Sequence, residues 1–419
     1  MPFDTEVAGS RGAPAAAPGD TRAPLRCLWI TWTDPHPERD GQRIYSGRLI
    51  DAVAEAGAEI EVLSCECDGA VGRARAARRA PIRWHRVARQ ERPRLLSPLS
   101  PLPNVAYRSG TAEMRARLRA LLRENRWQAV VVDGLPAGWA IREIERLPRR
   151  QRPRVVHVSH NHEASTRGAV ARDYQGNPLM KLALRWDAMK ARVLEERLVD
   201  ASSLVTAITE DDAAKYQARH PGKDLLVLPP GYSGAQTDEL HLSPDLPRRA
   251  VVVGSFHWVA KKMNLEAFLS VADPLFAQAG AELQIVGGGD PEFLEQLRRR
   301  MRATDIVGPV DDVIPYMQQA RAAVVPERTG GGFKLKILDY AFNPLPTLAI
   351  DGSVAGTPLR APDSVRLYED LEELARGALE LLDDVETADR IQCRAFELCR
   401  DRFDWEQRGR RLLAETAAV

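Results

Sequence analysis

A glycine triplet followed by two lysines marks the first place in this chain where chemistry could be done. In "ERTGGGFKLKILDY" (327–340), Gly330, Gly331 and Gly332 separate a short β-branched run, "ARAAVVP" (320–326), from a stretch with Leu335, Leu338 and Phe342 at helical spacing. Glycine lets a bulky ligand come close to backbone amides, and a helix start adds unpaired N–H groups and the positive end of a dipole. Lys334 and Lys336 add charge at the same place, so the stretch suits a phosphate, although the glycines by themselves read better as a flexible turn. The pattern is not a Walker loop, because no "GK[ST]" closes it, and no "GxGxxG" follows the first strand near Thr31.

The second place is "VHVSHNHEAS" (156–165), which sets His157, His160 and His162 around Asn161 and Glu163 at a strand end. A metal site is the tempting reading. The spacing is neither of the helical zinc patterns, however, and His157 and His160 fall on opposite faces of a strand, so we expect no metal. The residues otherwise serve as hydrogen-bonding groups at a site or as caps of a strand end. Cys65 and Cys67 form a "CEC" pair without a second ligand pair at zinc spacing, and the five cysteines suggest reduced thiols and a cytoplasmic protein.

These groups need a frame to hold them. The chain alternates short apolar runs with amphipathic stretches: "LRCLWIT", a helix near 44–56, "EIEVLS", "IRWHRV", "AVVVDG", "RVVHVSH", "SLVTAI" and "DLLVLPPGY". After a polar, proline-bearing linker the alternation restarts with "RAVVVGS", a helix near 264–279, "AELQIVGGG", a helix near 291–301, "TDIVG", "AAVVP" and "LPTLAI". Such alternation marks parallel sheets wrapped by helices, so we expect an α/β chain of two Rossmann-like doubly wound domains facing a cleft. The expected divisions are a disordered leader at 1–24, a first domain at 25–232, a linker at 233–248, a second domain at 249–395 and a terminal segment at 396–419. In sheets of this kind ligands bind at the carboxyl ends of the strands, which places the site between the domains.

With 419 residues, 44% hydrophobic and 28% charged, the chain has the composition of a globular protein with room for two cores. A formal net charge of +1 argues against a general nucleic-acid binder, and no apolar run is long enough to cross a bilayer. The N-terminus lacks a basic segment followed by an apolar one, so no secretory signal is read there. Residues 73–94 are dense in arginine and lead into "LLSPLSPLPN" (95–104), where proline forbids a regular element. This region reads either as a solvated face with a long surface loop, or as a docking edge for an anionic or lipid-linked partner at the inner membrane surface.

Four segments occur in a familiar order: "VVVGSFHWVAKKMNLEAF", "LQIVGGGD", "DIVGPVDDV" and "VVPERTGGGFKLKILDY". Together they resemble the donor-binding domain of family 4 retaining glycosyltransferases of the GT-B fold, in the subgroup with a "GGG..LKILE" segment. The resemblance implies transfer of a hexose from a UDP- or GDP-type sugar to a glycan, lipid-linked or small-molecule acceptor, without a metal or other cofactor. It implies that Gly254 and Ser255 lie near the donor diphosphate, with Lys262 or its neighbour Lys261 neutralising it. The family's arginine in that loop is replaced by "FHW" (256–258), so Lys334 or Lys336 would supply the missing charge. Gly332, Phe333, Lys334 and Leu335 would face the phosphates, Val307 the nucleobase, and Asp339 the ribose in place of the family's second glutamate. The first glutamate falls on Gly331, and Glu327 is the candidate substitute.

On the acceptor side, "SHNHE" resembles the family's "HN.E" segment, which implies that His160 or His162 hydrogen-bonds a sugar or acceptor hydroxyl and that Glu163 orients it. The loop after the first strand would bring Gly41 and Arg43 to the cleft, and "DRFDWEQRGRRLLAE" (401–415) resembles the helix that crosses back onto the first domain, anchored by Trp405. Within the same fold an epimerase or phosphorylase is weakened by these motifs. The missing glutamate and arginine leave open a non-catalytic subunit that binds a nucleotide sugar.

Overall fold

The structure is a computed structural model that describes residues 24–38, 40–66, 82–90, 92–237, 241–328 and 331–418. Residues 1–23 of the leader, Cys67, Gly330, and residues 73–81 and 91 of the arginine-dense segment lie outside the described residues. Strands β1 (Arg26–Ile30), β2 (Glu59–Cys65), β3 (Arg83–Val87), β4 (Ala129–Asp133), β5 (Arg154–Val158), β6 (Leu204–Ala207) and β7 (Asp224–Val227) form one sheet in the order β3-β2-β1-β4-β5-β6-β7. Every pairing is parallel. Successive side chains enter opposite cores: Leu28, Ile30, Val130 and Val132 pack with Leu118 and Trp139, while Cys27, Trp29 and Val131 pack with Leu49 and Ile50. Burial on both faces explains why "AVVVD" is an unbroken apolar run rather than an alternating one.

The second sheet repeats the plan with β8 (Arg249–Val253), β9 (Glu282–Val286), β10 (Thr304–Gly308), β11 (Ala322–Val325), β12 (Thr347–Ile350) and β13 (Arg366–Tyr368) in the order β10-β9-β8-β11-β12-β13, again all parallel. Val252 and Ile285 enter a core with Phe268 and Phe276, whereas Val251 and Val253 face Tyr340 and Phe342. The expected α/β fold of two Rossmann-like domains is therefore observed. In each sheet the strand order reverses beside the first strand of that unit, β1 against β4 and β8 against β11. The reversal splays the following loops apart and opens a crevice at the carboxyl edge.

Three local expectations change. The leucine- and proline-rich segment is not a bare loop: it contains a 3-10 helix, Arg94–Leu99, and the helix Asn104–Ser109, with Pro98 accommodated in the short turn. Residues 396–419 are not one helix. The helix Val385–Cys399 belongs to the second unit, where Ala395 and Cys399 join its core, and only Trp405–Ala418 returns to the first. There Trp405 and Leu412 enter the first unit's core, and Gly409 lies so close to the helix Gly41–Glu55 that an added Cβ would stand 2.2 Å from the Ala52 carbonyl oxygen. The glycine loop, finally, is followed by a helix that starts at Lys336 and ends at Phe342, one turn later than the triplet suggests. Among the described residues no helix is long and apolar enough to cross a membrane.

Candidate active site

At the carboxyl edge of the second sheet, one buried carboxylate is surrounded by lysines. Glu327 follows β11, and its side chain is 7% exposed. Lys261 approaches it to 2.5 Å, Lys336 to 2.7 Å and Lys334 to 3.9 Å. Lys336 also donates to the carbonyl oxygen of Val253, at the end of β8, and lies beside Gly254. Burial pushes the Glu327 carboxyl up, but the charges of Lys336, Lys261 and Lys334 outweigh it and hold the group ionised, far below the usual range. Burial also pulls the Lys334 ammonium down to about 8 and lowers Lys336, with Glu327 opposing both shifts. With all groups charged, three ammonium ions face one carboxylate. The surplus of positive charge sits in a low-dielectric wall, where an anion gains most.

The backbone around this cluster is close-set. Gly287, with φ of +138°, passes so near Gly254 that a Cβ would stand 1.7 Å from its carbonyl oxygen, which explains glycine in "IVGGG". Asp339, one turn into the short helix, has its carboxyl pushed up to about 6 by burial, against a hydrogen bond from Tyr232.

The facing edge of the first sheet is built differently. Asp133 ends β4, is fully buried, and accepts from the indole N–H of Trp29 at 2.8 Å and from Nε2 of His160 at 2.6 Å. Tyr45 stands edge-on to the His160 ring, so its orientation is fixed on two sides. Behind it, Glu195 of the helix Pro178–Ala201 accepts from the backbone N–H groups of Glu163 and Ala164 and from the Tyr216 hydroxyl. This caps the helix Glu163–Asp173 with a carboxylate. Burial pushes the Glu195 carboxyl up to about 7, against those three hydrogen bonds.

Several expected site residues sit elsewhere in this geometry. His157 is internal: its Nδ1 donates to the Val132 carbonyl at 3.1 Å, and burial lowers the ring to about 4. His162 is turned into the fold, where its Nδ1 accepts from the Ser165 N–H and its ring meets Tyr216 edge-on. Glu163 is bridged by Arg167 at 2.6 Å, and Arg167 reaches on to Asp187. Lys262 pairs with Asp290 at 3.2 Å and lies over the Phe293 ring, whereas its neighbour Lys261 meets Glu327. Ser255 is exposed, and Val307 packs half-buried on the core below the edge. Arg43 bridges Asp40 at 3.5 Å and lies over Trp32.

The two edges meet. Gly332, with φ of +73°, is placed so that a Cβ would stand 2.2 Å from Oδ1 of Asn161 and 3.0 Å from the His160 carbonyl oxygen. A Cβ on Gly331 would be 2.4 Å from Oγ1 of Thr166. Gly331 thus lies against the helix Glu163–Asp173. Leu335 approaches Gly41, and Phe333 fits against Gly356, itself next to Thr209. Sequence reasoning missed Asp133, Glu195 and Tyr216. Only Asp133, the lone acid closing an apolar strand, carried a readable signal. Among the described residues, one trio has metal-binding proximity, His241, Asp389 and Cys393 in the second unit, and Asp389 there already accepts from the Leu242 N–H.

Comparison with known proteins follows the same division. Residues 40–231 match the glycosyl transferase 4-like domain and residues 247–384 match glycosyl transferases group 1. No curated protein matches the chain in sequence. Among solved structures, sucrose-phosphate synthase from Thermosynechococcus elongatus superposes with a TM-score of 0.66 at 17% identity, over 94% of this chain and 98% of that one. Anabaena HepE, in complex with UDP and glucose, gives 0.62 at 14% identity over 94% and 100%. WaaG, a glycosyltransferase involved in lipopolysaccharide biosynthesis, gives 0.59 at 14% over 94% and 100%. Two consecutive family matches on two facing Rossmann-like units place the chain among the glycosyltransferases of the GT-B fold.

Proposed function

We propose that the chain transfers a hexose from a nucleoside-diphosphate sugar to a hydroxyl of a glycan, lipid-linked or small-molecule acceptor, with retention of anomeric configuration. The observation that carries this reading is the cluster of Lys261, Lys334 and Lys336 around Glu327 at the ends of β8 and β11. A departing nucleoside diphosphate needs positive charge held in place before it leaves, and these ammonium groups supply it. Glu327 is the internal counter-ion that keeps three lysines together when no diphosphate is present, so it does not stand in for the family's sugar-contacting glutamate.

Across the cleft, His160 is oriented by Asp133 and offers its remaining ring edge to the sugar or the incoming hydroxyl. The acceptor hydroxyl attacks the face of an oxocarbenium-like sugar from which the diphosphate departs, and the diphosphate oxygens take its proton. Asp339 is assigned to the ribose hydroxyls, with its partial protonation near pH 6 tuning that contact. The complex of HepE with UDP and glucose supports a uridine-type donor.

Thermal melting against UDP-, GDP- and dTDP-sugars tests the donor, since a ligand that binds only the folded state raises its Tm. Turnover of the stabilising donor, with the anomer of the product read by NMR, tests the reaction. No stabilisation by any of the three overturns the reading. Stabilisation without hydrolysis or transfer favours the non-catalytic subunit, a reading to which the bare Gly331 position gives support.

A further inference from the structure

Large apolar side chains on the surface are concentrated in one place. Among the described residues ten stand exposed, and nine of them lie on two adjacent elements of the first unit; the tenth is Trp258. The 3-10 helix Arg94–Leu99 presents Leu95 at 90% and Leu99 at 84% exposure, and the helix Pro178–Ala201 presents Leu179 at 76%, Leu182 at 65% and Trp186 at 46%. The elements are pinned together: the Trp186 indole donates to the Pro98 carbonyl at 3.2 Å, and buried Lys190 donates to the carbonyls of Ser97 and Ser100. The leucines and the helix stripe therefore form one continuous surface. Scattered apolar residues need no explanation, but a patch of this kind marks an interaction surface.

Charge decides what covers it. Arg94, Lys181 and Arg185 border or interrupt the patch, and none has a carboxylate partner among the described residues. The acid in their midst, Asp187, is turned inward, accepting from Arg167 and from the Asn104 N–H. Glu196 is paired with Arg192. Apolar side chains rimmed by unpaired cations are what an anionic bilayer accepts: leucines enter the acyl boundary, an indole rests at the interface, and basic groups meet the headgroups. A second copy of the chain, seated face to face, would instead bring those cations against their own equivalents.

We propose that this face docks on an anionic lipid bilayer, with the axis of the helix Pro178–Ala201 in the membrane plane. The same helix carries Glu195, which caps the helix beginning at Glu163, so docking fixes the His160 loop relative to the lipid surface. Docking stands apart from the transferase reading, because it is measured without donor.

Flotation of the full chain with phosphatidylcholine vesicles, and with vesicles that also contain phosphatidylglycerol, tests it. Binding at least about tenfold greater to the anionic vesicles, weakening as salt rises, is the expected result. The double variant Leu95→Ser with Leu99→Ser, and separately Lys181→Gln with Arg185→Gln, should each reduce binding about tenfold or more while leaving Tm unchanged, since all four side chains are outside the core. Equal binding to both vesicle types, or wild-type binding by both variants, overturns the proposal. A dimer in sedimentation velocity that Leu182→Glu dissociates also overturns it, in favour of a second copy as the occupant.

Discussion

The two walls of the cleft satisfy their polar groups by opposite means. On the first unit each titratable group near the edge has a matched internal partner: Asp133 has Trp29 and His160, and Glu195 has Tyr216 and two backbone N–H groups. On the second unit three lysines share one carboxylate. A wall of paired groups holds a shape, and a wall with surplus charge waits for an anion. The contrast separates positioning from electrostatic stabilisation, and each can be attacked alone.

The most severe test is Lys336→Ala, which removes the ammonium that bridges Glu327 and the end of β8. It should lower kcat/KM by about 10²- to 10³-fold, the cost of removing one fixed donor from a developing anion. Lys261→Ala should follow in the same direction. Wild-type kinetics in both, with melting curves showing them folded, would remove the lysine wall from the mechanism. Next comes the opposite wall: His160→Ala should depress kcat by about 10- to 100-fold and leave nucleotide affinity within about twofold. An equal loss of nucleotide binding breaks the division between the walls.

A smaller effect is written in pH. Lys334 titrates at about 8 in the fold against an ordinary 10.5, so donor capture should fall as pH rises above 8, approaching tenfold per unit at the limit. The sign for stability is the reverse: between 8 and 10.5 the unfolded chain binds more protons, so this group's contribution to stability rises with pH. Lys334→Arg keeps its charge and should extend the plateau of kcat/KM; an unchanged alkaline limb assigns that limb to another group. The smallest change should come from Lys262→Ala, whose partner is the exposed Asp290. We expect less than about threefold in kcat/KM, because exposed pairs contribute little.

How far the sequence foretold all this depends on distance along the chain. Strands buried on both faces were legible as apolar runs, but β13 was not, since its three residues are half-buried at a sheet edge and leave no run to see. The glycine loop and its lysines were visible because they are local. Choosing Lys261 over Lys262 was not possible, because neighbours on a helix point about 100° apart and the sequence does not say which one faces β11. Asp133 meets Trp29 across 104 residues and Glu195 meets Glu163 across 32, so those partnerships exist only once the sheet is assembled. His162 looked available for the same reason: the cap it makes depends on where the helix Glu163–Asp173 begins.

The return of Trp405–Ala418 to the first unit has a consequence for how the chain is made. Trp405 and Leu412 complete a core that includes Leu49 and Ile50, synthesised some 350 residues earlier. Emerging from the ribosome, the first unit has a slot where Gly409 will later pass within touching distance of Ala52. The second unit, held between, needs nothing that comes after Phe403 for its own core. Assembly is thus finished in an order opposite to synthesis, the earlier unit closing last, and a chain stopped short of its final helix keeps an intact lysine wall on its second unit beside a first unit whose core is still open.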